Sequence, residues 1–370
     1  MATQEDTQHA RPFHHDALSD VPGLRIGHAQ RTGEDWPGWL TGTTVVLSPD
    51  AGVVAGVDAR GGAPGTRETD ALDPRNVVQR IHAVVLTGGS AFGLDAASGV
   101  MGLLEERGLG VPVGPAPEQV VPVVPAAVLF DLGRGGRWRA RPDAELGRLA
   151  TEAAAGAEPG APVPQGNVGA GTGAVVGGLK GGVGSASTGL ANGATVAALA
   201  VVNAAGDAVD PATGMLYGQL FGGRPQPPSE AHHARAQRSL AAARQETVSR
   251  TAGTLLPPLN TTLAVVATDA TLTRPQAQRL AGTAHDGLAR AVRPVHLMHD
   301  GDTVFALSTA ERPLPDGELN SVLESGAEVL TRAVVKAVLA AESVDGPGGV
   351  FPSYRELYGD ESAAPARSEP

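Results

Sequence analysis

The sequence has 370 residues, of which 42% are hydrophobic and 18% are charged, and a formal net charge of −11. This acidic balance argues against binding to nucleic acid or an acidic membrane, because contact with phosphates needs a basic surface. There is no cysteine, which excludes disulfides, catalysis by a thiol and thiolate metal sites.

The first half of the chain alternates apolar runs with polar loops. Residues 1–18 are polar and rich in histidine, which predicts a disordered tail. They also lack the apolar run of a signal peptide, so we expect a soluble, cytoplasmic protein. Apolar runs predict strands over residues 43–47, 52–57 and 81–86, and an interrupted strand over 120–130. Periodic apolar residues predict helices just after residue 90 and over 143–156.

The second half continues the alternation. Residues 166–193 are mostly Gly, Ala and Ser, and residues 221–258 are typical of a surface excursion that contains a helix. Strands are predicted over residues 195–203, 261–268 and 303–308, and helices over 230–246, 273–292 and 319–342. Many of the strands are continuous apolar runs, which indicates sheets buried on both faces. A layered α/β protein follows from this pattern.

The common enzyme motifs fit poorly. Residues 88–92 resemble a nucleophile elbow, but Phe92 stands where the last glycine belongs. Residues 169–174 match a dinucleotide-binding pattern only loosely, because they follow a proline-containing loop and not a strand. The histidine pairs at 232–233 and 296/299 lack the spacing of zinc ligands, and we expect them at the surface. We therefore expect neither a cofactor nor a metal.

Asn260 and Thr261 stand where the excursion ends and a strand begins. A threonine hydroxyl is a weak nucleophile inside a chain. At a chain terminus its own α-amine can take the hydroxyl proton, since such an amine titrates near ~7.7–8.0. The alternative is that a β-branched residue simply favours the start of a strand.

Three other places carry polar side chains beside apolar strands. Asp300 and Asp302 would share one face of an extended segment, where they could hold an ammonium, unless they form an Asp-Gly turn. Lys180 lies among glycines and could lower the proton affinity of a nearby amine, or could be a solvated loop residue. Asn203 ends an apolar strand and could donate to an oxyanion, or could mark a turn.

Seven ordered stretches together resemble the P1 family of peptidases, the DmpA-type aminopeptidases and amidases that include the nylon-oligomer endohydrolases. The resemblance covers roughly residues 20–345. The stretches are GVDARGGAPGTRETD (56–70), VVLTGGSAFGLDAASGV (84–100), VPVVPAAVLFDL (121–132), GNVGAGTGA (166–174), LKGGVGSAS (179–187), NTTLAVVATDATL (260–272) and HDGDTVFALST (299–309).

The resemblance implies a four-layer αββα sandwich that processes itself. It implies a cut between Asn260 and Thr261, so that an α chain (1–260) and a β chain (261–370) stay together. We therefore expect one catalytic domain over 19–345, a C-terminal tail over 346–370, and a homo-oligomer of processed pairs, often a tetramer.

By the same resemblance, Thr261 matches the nucleophile, and Asn203 matches the asparagine of the oxyanion hole. Lys180 matches a lysine near the nucleophile, and Asp300 with Asp302 matches the pair that orients it. The implied activity is hydrolysis of peptide or amide bonds, with 6-aminohexanoate oligomers among the possible substrates.

One departure from the family concerns the substrate pocket, where some relatives carry a tyrosine and this chain has Phe130. The missing hydroxyl removes one contact to the nucleophile or the oxyanion. Two alternatives to a hydrolase stay open: an acyltransferase of the ornithine acetyltransferase type, and a binding or scaffold protein that kept the fold without the chemistry.

Overall fold

The computed structural model describes residues 15–222, 226–251 and 260–359. The strands within these ranges are β1 (Arg25–Thr32), β2 (Leu40–Leu47), β3 (Val54–Ala59), β4 (Thr66–Arg67), β5 (Ala83–Thr87), β6 (Val111–Pro112), β7 (Val120–Val121), β8 (Ala126–Val128), β9 (Val175–Val176), β10 (Leu179–Lys180), β11 (Val183–Gly189), β12 (Thr195–Val201), β13 (Leu263–Ala270), β14 (Thr303–Arg312), β15 (Val344–Gly346) and β16 (Gly349–Phe351). The helices are α1 (Ala96–Glu106), α2 (Ala144–Gly156), α3 (Gln219–Gly222), α4 (Glu230–Arg250), α5 (Arg274–Ala291), α6 (Leu319–Ala340) and α7 (Tyr354–Tyr358).

Two five-stranded sheets form the centre of the molecule. The first has the order β1-β2-β5-β8-β4, and the second has the order β11-β12-β13-β14-β3. Each sheet contains one parallel pair, β5 with β8 and β13 with β14, and its other neighbouring strands are antiparallel. The parallel pair of the second sheet brings the starts of β13 and β14 to one edge, with Leu263 opposite Thr303.

The side chains of each sheet alternate between two apolar cores, as the pleat requires. In β13, Val265 faces the other sheet, whereas Val266 faces α5 and α6. In β2, Val46 faces the other sheet, whereas Val45 belongs to the cluster that contains α1 and α2. The layers therefore run helix, sheet, sheet, helix. This confirms the predicted αββα sandwich and explains the continuous apolar strands.

Small residues allow the helices to approach the sheets closely. A Cβ on Gly27 of β1 would lie 2.1 Å from the Ala150 carbonyl oxygen of α2. A Cβ on Gly184 of β11 would lie 2.1 Å from the Ala333 carbonyl oxygen of α6. Neither β1 nor β11 is predicted from the sequence, because RIGHAQRT and VGSASTG do not form continuous apolar runs.

Several boundaries differ from the predicted ones. Residues 1–14 of the predicted tail lie outside the described residues, whereas Leu18 is buried and its N–H donates to Ser185 Oγ at 2.7 Å. At the other end, β16 and α7 lie within the predicted tail of 346–370, of which residues 360–370 are also outside the described residues. Residues 223–225 and 252–258 of the excursion are outside them as well. None of the described helices is long and apolar enough to cross a membrane.

Candidate active site

Asn260 and Thr261 are joined and buried at the edge where β13 begins, with 4% and 5% of their surfaces exposed. The Thr261 hydroxyl donates to the Asn260 carbonyl oxygen at 2.6 Å. The Gly301 N–H donates to the same oxygen at 3.3 Å. The carbonyl of the predicted cleavage site is therefore held between the predicted nucleophile and a backbone donor.

Asp300 and Asp302 reach this junction because β13 and β14 are parallel and both strands start at the same edge. Asn260 pairs with Asp300 across that edge. The Thr262 N–H donates to Asp302 Oδ1 at 2.8 Å. Asp300 Oδ2 accepts from the Leu297 N–H at 3.0 Å, whereas Asp300 Oδ1 makes no hydrogen bond of normal geometry with the described residues. Asp300 is thus next to the junction through its backbone pairing with Asn260.

The pKa of Asp300 is raised above its ordinary value. Burial of the carboxyl is the main cause, and the negative charge of Asp302 adds to it. The N–H groups of Leu297 and Ala205 and the nearby His299 act in the opposite direction. Asp300 is therefore a carboxyl group that takes up a proton more readily than an exposed aspartate does.

Asn203 follows the end of β12, which runs antiparallel to β13 with Val201 opposite Leu263. Its Oδ1 accepts the Val175 N–H at 3.0 Å and a hydrogen bond from Arg134. Its Nδ2 donates to the Phe130 carbonyl oxygen at 3.4 Å. Because two donors hold the oxygen and Nδ2 already donates to Phe130, one N–H of the amide remains to donate to a further acceptor.

No sequence motif predicts Arg134 at this site, but its guanidinium connects two of the predicted residues. It donates to the Asn260 side-chain Oδ1 at 2.6 Å, to the Gly173 carbonyl oxygen at 2.7 Å and to Asn203 Oδ1. Burial lowers the pKa of Arg134 to about 10, and the charge of Asp131 opposes that shift. The one signal in the sequence is that glycines flank Arg134, as they flank Lys180.

Lys180 is fully buried, and its ammonium donates to the carbonyl oxygens of Gly171, Ala174 and Gly181 at 2.8–3.0 Å. Burial and the charge of Arg134 lower its pKa well below the ordinary value, whereas Asp131 and the three carbonyl acceptors favour the protonated form. The glycine-rich segment 169–174 therefore surrounds a cation and not a phosphate. Lys180 makes no hydrogen bond to Thr261, so its influence on that residue stays a prediction.

A loop from the 56–70 stretch packs along the segment that carries the two aspartates. The N–H of Ala63 donates to the Asp300 carbonyl oxygen at 2.8 Å, and the N–H of Arg60 donates to that of Asp302 at 3.0 Å. A Cβ on Gly61 would lie 2.3 Å from the Asp300 carbonyl oxygen. The glycines of this stretch allow the backbone contact that fixes the aspartates.

His296 also contacts the aspartates. Its Nδ1 and backbone N lie 2.8 Å and 3.1 Å from Asp302 Oδ2, and its ring meets that of His285 edge to face at 4.8 Å. The expected surface position is therefore wrong for His296, whose side chain is 18% exposed, and for His232, which is buried. The turn at His296, with φ of 59°, brings the ring to Asp302, and the sequence spacing does not show this.

Phe130 contributes its backbone to the site, since its carbonyl oxygen accepts from Asn203. Its ring lies 6.3 Å from that of Trp138, which is 57% exposed. The position is thus adjacent to the predicted oxyanion residue, and its role in a substrate pocket stays a prediction. Among the described residues, no three His, Asp or Glu side chains are grouped to hold a metal ion.

Comparison with known proteins decides the family. The profile of Peptidase family S58 matches residues 16–351. The chain belongs to Peptidase family S58. This confirms the resemblance and makes the protein a hydrolase of amide bonds.

Family S58 relatives cover most of this chain. An uncharacterized aminopeptidase of Mycobacterium tuberculosis is 46% identical over 361 residues, which are 93% of this chain and 98% of that protein. A 6-aminohexanoate-oligomer endohydrolase of a Kocuria species is 32% identical over 308 residues, which are 80% of this chain and 76% of that protein.

Solved structures support the fold of this S58 chain. A Burkholderia beta-aminopeptidase matches with a TM-score of 0.67 and 22% identity, covering 93% of this chain and 92% of that one. The L-aminopeptidase D-Ala-esterase/amidase of Ochrobactrum anthropi, described as a variant of the Ntn hydrolase fold, matches with a TM-score of 0.67 and 21% identity, covering 94% and 95%. At these identities the comparison shows the fold.

Proposed function

We propose that the chain cuts itself between Asn260 and Thr261, and that Thr261 then serves as the N-terminal nucleophile of an amide and peptide hydrolase. The observation that carries this proposal is the buried contact of 2.6 Å between the Thr261 hydroxyl and the Asn260 carbonyl oxygen. In an ordinary strand start, neither burial of this hydroxyl nor a second donor on the carbonyl is needed.

Self-cleavage begins when Thr261 Oγ1 attacks the Asn260 carbonyl carbon through a five-membered ring. The proposed acceptor of the hydroxyl proton is the Asp300 carboxylate, whose raised pKa suits that role. The Gly301 N–H stabilises the negative oxygen. The C–N bond then breaks, the leaving amine takes the proton, and Asn260 remains as an ester on Thr261. Water hydrolyses the ester, which leaves a carboxylate on Asn260 and a free α-amine on Thr261.

In turnover, Thr261 Oγ1 is again the nucleophile, and the new α-amine of Thr261 replaces Asp300 as the base. The new α-amine takes the proton of the Thr261 hydroxyl, and Oγ1 attacks the carbonyl carbon of the substrate amide. The Asn203 amide, held with one N–H available, donates to the oxyanion. The leaving amine departs with the proton, and water releases the acyl group. One such donor contributes about two to three decades in rate in comparable sites.

The charged groups around the junction support these steps. Asp300 is the proposed acceptor for the new α-amino group, and Asp302 fixes the chain just after Thr261 through the Thr262 N–H. Lys180 and Arg134 place positive charge near Asn203, and this charge lowers the pKa of a nearby amine and keeps it in its basic form. The homo-oligomer of processed pairs and the cytoplasmic location implied by the sequence belong to the same proposal.

Intact mass spectrometry of the purified protein tests the nucleophile directly. We expect two fragments, one ending at Asn260 and one beginning at Thr261, and a single uncut chain for Thr261→Ala. Thr262→Ala is the matched control, because it removes the neighbouring hydroxyl while keeping the N–H that Asp302 accepts. A wild-type chain that stays whole after long incubation would refute the proposal.

A further inference from the structure

The acyl-binding subsite of the mature enzyme can be located from the uncut chain. This step rests on the proposed function. In self-cleavage, the acyl group of Asn260 forms an ester with Thr261 Oγ1. In turnover, the acyl group of the substrate forms an ester with the same oxygen. Because the two esters have the same bond at the same atom, the space around the Asn260 side chain is the space that receives the substrate's acyl side chain.

Arg134 contacts the Asn260 side chain within that space. Asn260 is only 4% exposed, and its Oδ1 accepts from the Arg134 Nη2 at 2.6 Å. The other terminal nitrogen of Arg134 is already engaged by the Gly173 carbonyl oxygen and by Asn203 Oδ1. The guanidinium is therefore anchored at one end and presents a donor to the acyl group at the other.

A guanidinium has only donors, so it can be satisfied only by an acceptor. An acyl side chain that ends in methyl groups would displace water from Nη2 and leave this N–H without a partner. A site built around a hydrogen bond discriminates strongly against analogues that lack it, because its own polar group is then left unpaired. In the uncut chain, the Asn260 carboxamide accepts the Arg134 Nη2 hydrogen bond. An aspartate side chain has the same length and carries an acceptor oxygen at the same position.

We propose that Arg134 is a specificity-determining residue, and that the enzyme prefers amides whose acyl residue carries an acceptor oxygen at the length of an asparagine side chain. L-asparaginyl and L-aspartyl amides are the substrates that fit this description.

The test compares p-nitroanilides of L-Asn, L-Asp, L-Ala and L-Leu on the self-cut wild-type enzyme. We expect kcat/KM to be about 10- to 100-fold higher for the first two than for the last two, as for other losses of one buried hydrogen bond. Arg134→Met should bring that ratio close to one, and Arg134→Lys should restore part of it. Arg139→Met is the control, because Arg139 is an exposed arginine of the same loop.

Arg134 also holds Asn203, so its loss lowers the rate on every substrate, and the ratio between substrates is therefore the informative readout. A second panel uses the junction itself in case Arg134→Met does not mature. Asn260→Asp should cut at close to the wild-type rate, whereas Asn260→Leu, with the same branching at Cγ, should cut about 10- to 100-fold more slowly.

The outcomes separate this inference from the proposed function. If the mature enzyme hydrolyses alanyl and leucyl amides as fast as asparaginyl and aspartyl amides, the inference about Arg134 is wrong and the nucleophile stands. The same holds if Asn260→Leu cuts as fast as the wild type. If no fragment beginning at Thr261 ever forms, both proposals are overturned together.

Discussion

A single methyl group at Gly301 should disturb self-cleavage by crowding the attacking oxygen, without removing any of the reacting groups. A Cβ at this position would lie 2.7 Å from Thr261 Oγ1 and 2.7 Å from the Ala63 carbonyl oxygen. Ordinary contact with a Cβ begins at 3.4 Å, so the hydroxyl must move by about 0.7 Å, since the carbonyl blocks movement to the other side. A misplacement of about 1 Å can cost 10²-fold in rate, so we expect Gly301→Ala to cut about 10- to 100-fold more slowly.

The assay follows the fraction of intact chain by mass spectrometry over time after rapid purification. Gly301 does not need the left-handed backbone region, so alanine introduces crowding without backbone strain. Gly102→Ala is the control, because a Cβ on that residue of α1 meets nothing within 4 Å. Thermal unfolding shows whether Gly301→Ala is folded. A folded Gly301→Ala chain that cuts at the wild-type rate would refute the placement of Thr261 Oγ1 against Gly301.

Three further predictions concern Asn203, the aspartate pair and a buried histidine. Asn203→Ala should lower kcat of the self-cut enzyme by about two to three decades with a smaller change in KM, and a kcat within twofold of wild type would exclude it from the oxyanion hole. Asp302→Asn removes the negative charge that raises the pKa of Asp300, so the acid limb of kcat/KM against pH should move to lower pH; an unmoved limb would show that another group titrates there. Burial lowers the pKa of His285 from 6.5 to about 4, so the unfolded chain binds a proton that the folded chain does not. The free energy of unfolding should therefore fall as pH drops from about 6.5 towards about 4, by up to about 3 kcal/mol, and less steeply in His285→Gln when urea unfolding of the two is compared.

The layers of the fold could be predicted from the sequence, and the register of the strands could not. Continuous apolar runs such as 261–268 are needed when both faces of a sheet are buried, and such runs can be recognised in the amino-acid sequence. Whether β14 lies parallel to β13 depends on where α5 returns the chain, which no local pattern records. Strands β1 and β11 are missed because polar and small residues interrupt their apolar residues.

The residues of the candidate site are likewise only partly predictable from the sequence. Thr261, Asp300 and Asp302 are found from the sequence because each stands at a strand entrance within a recognisable stretch. Arg134 is not, because its partner Asn260 is 126 residues away and the contact exists only in the folded chain. His296 is missed for a related reason, since only a local turn with positive φ places its ring against Asp302.

The groups in and around the junction come from four distant parts of the chain: the loop near residue 63, Arg134, Asn203 and the segment 300–302. Under the proposed mechanism, a partly folded chain lacks some of these groups and cannot cut itself. A free N-terminal threonine would therefore be present only on molecules that had folded completely at least once. Periodate, which oxidises an N-terminal threonine selectively, could then count the molecules in a preparation that had matured, independently of any substrate.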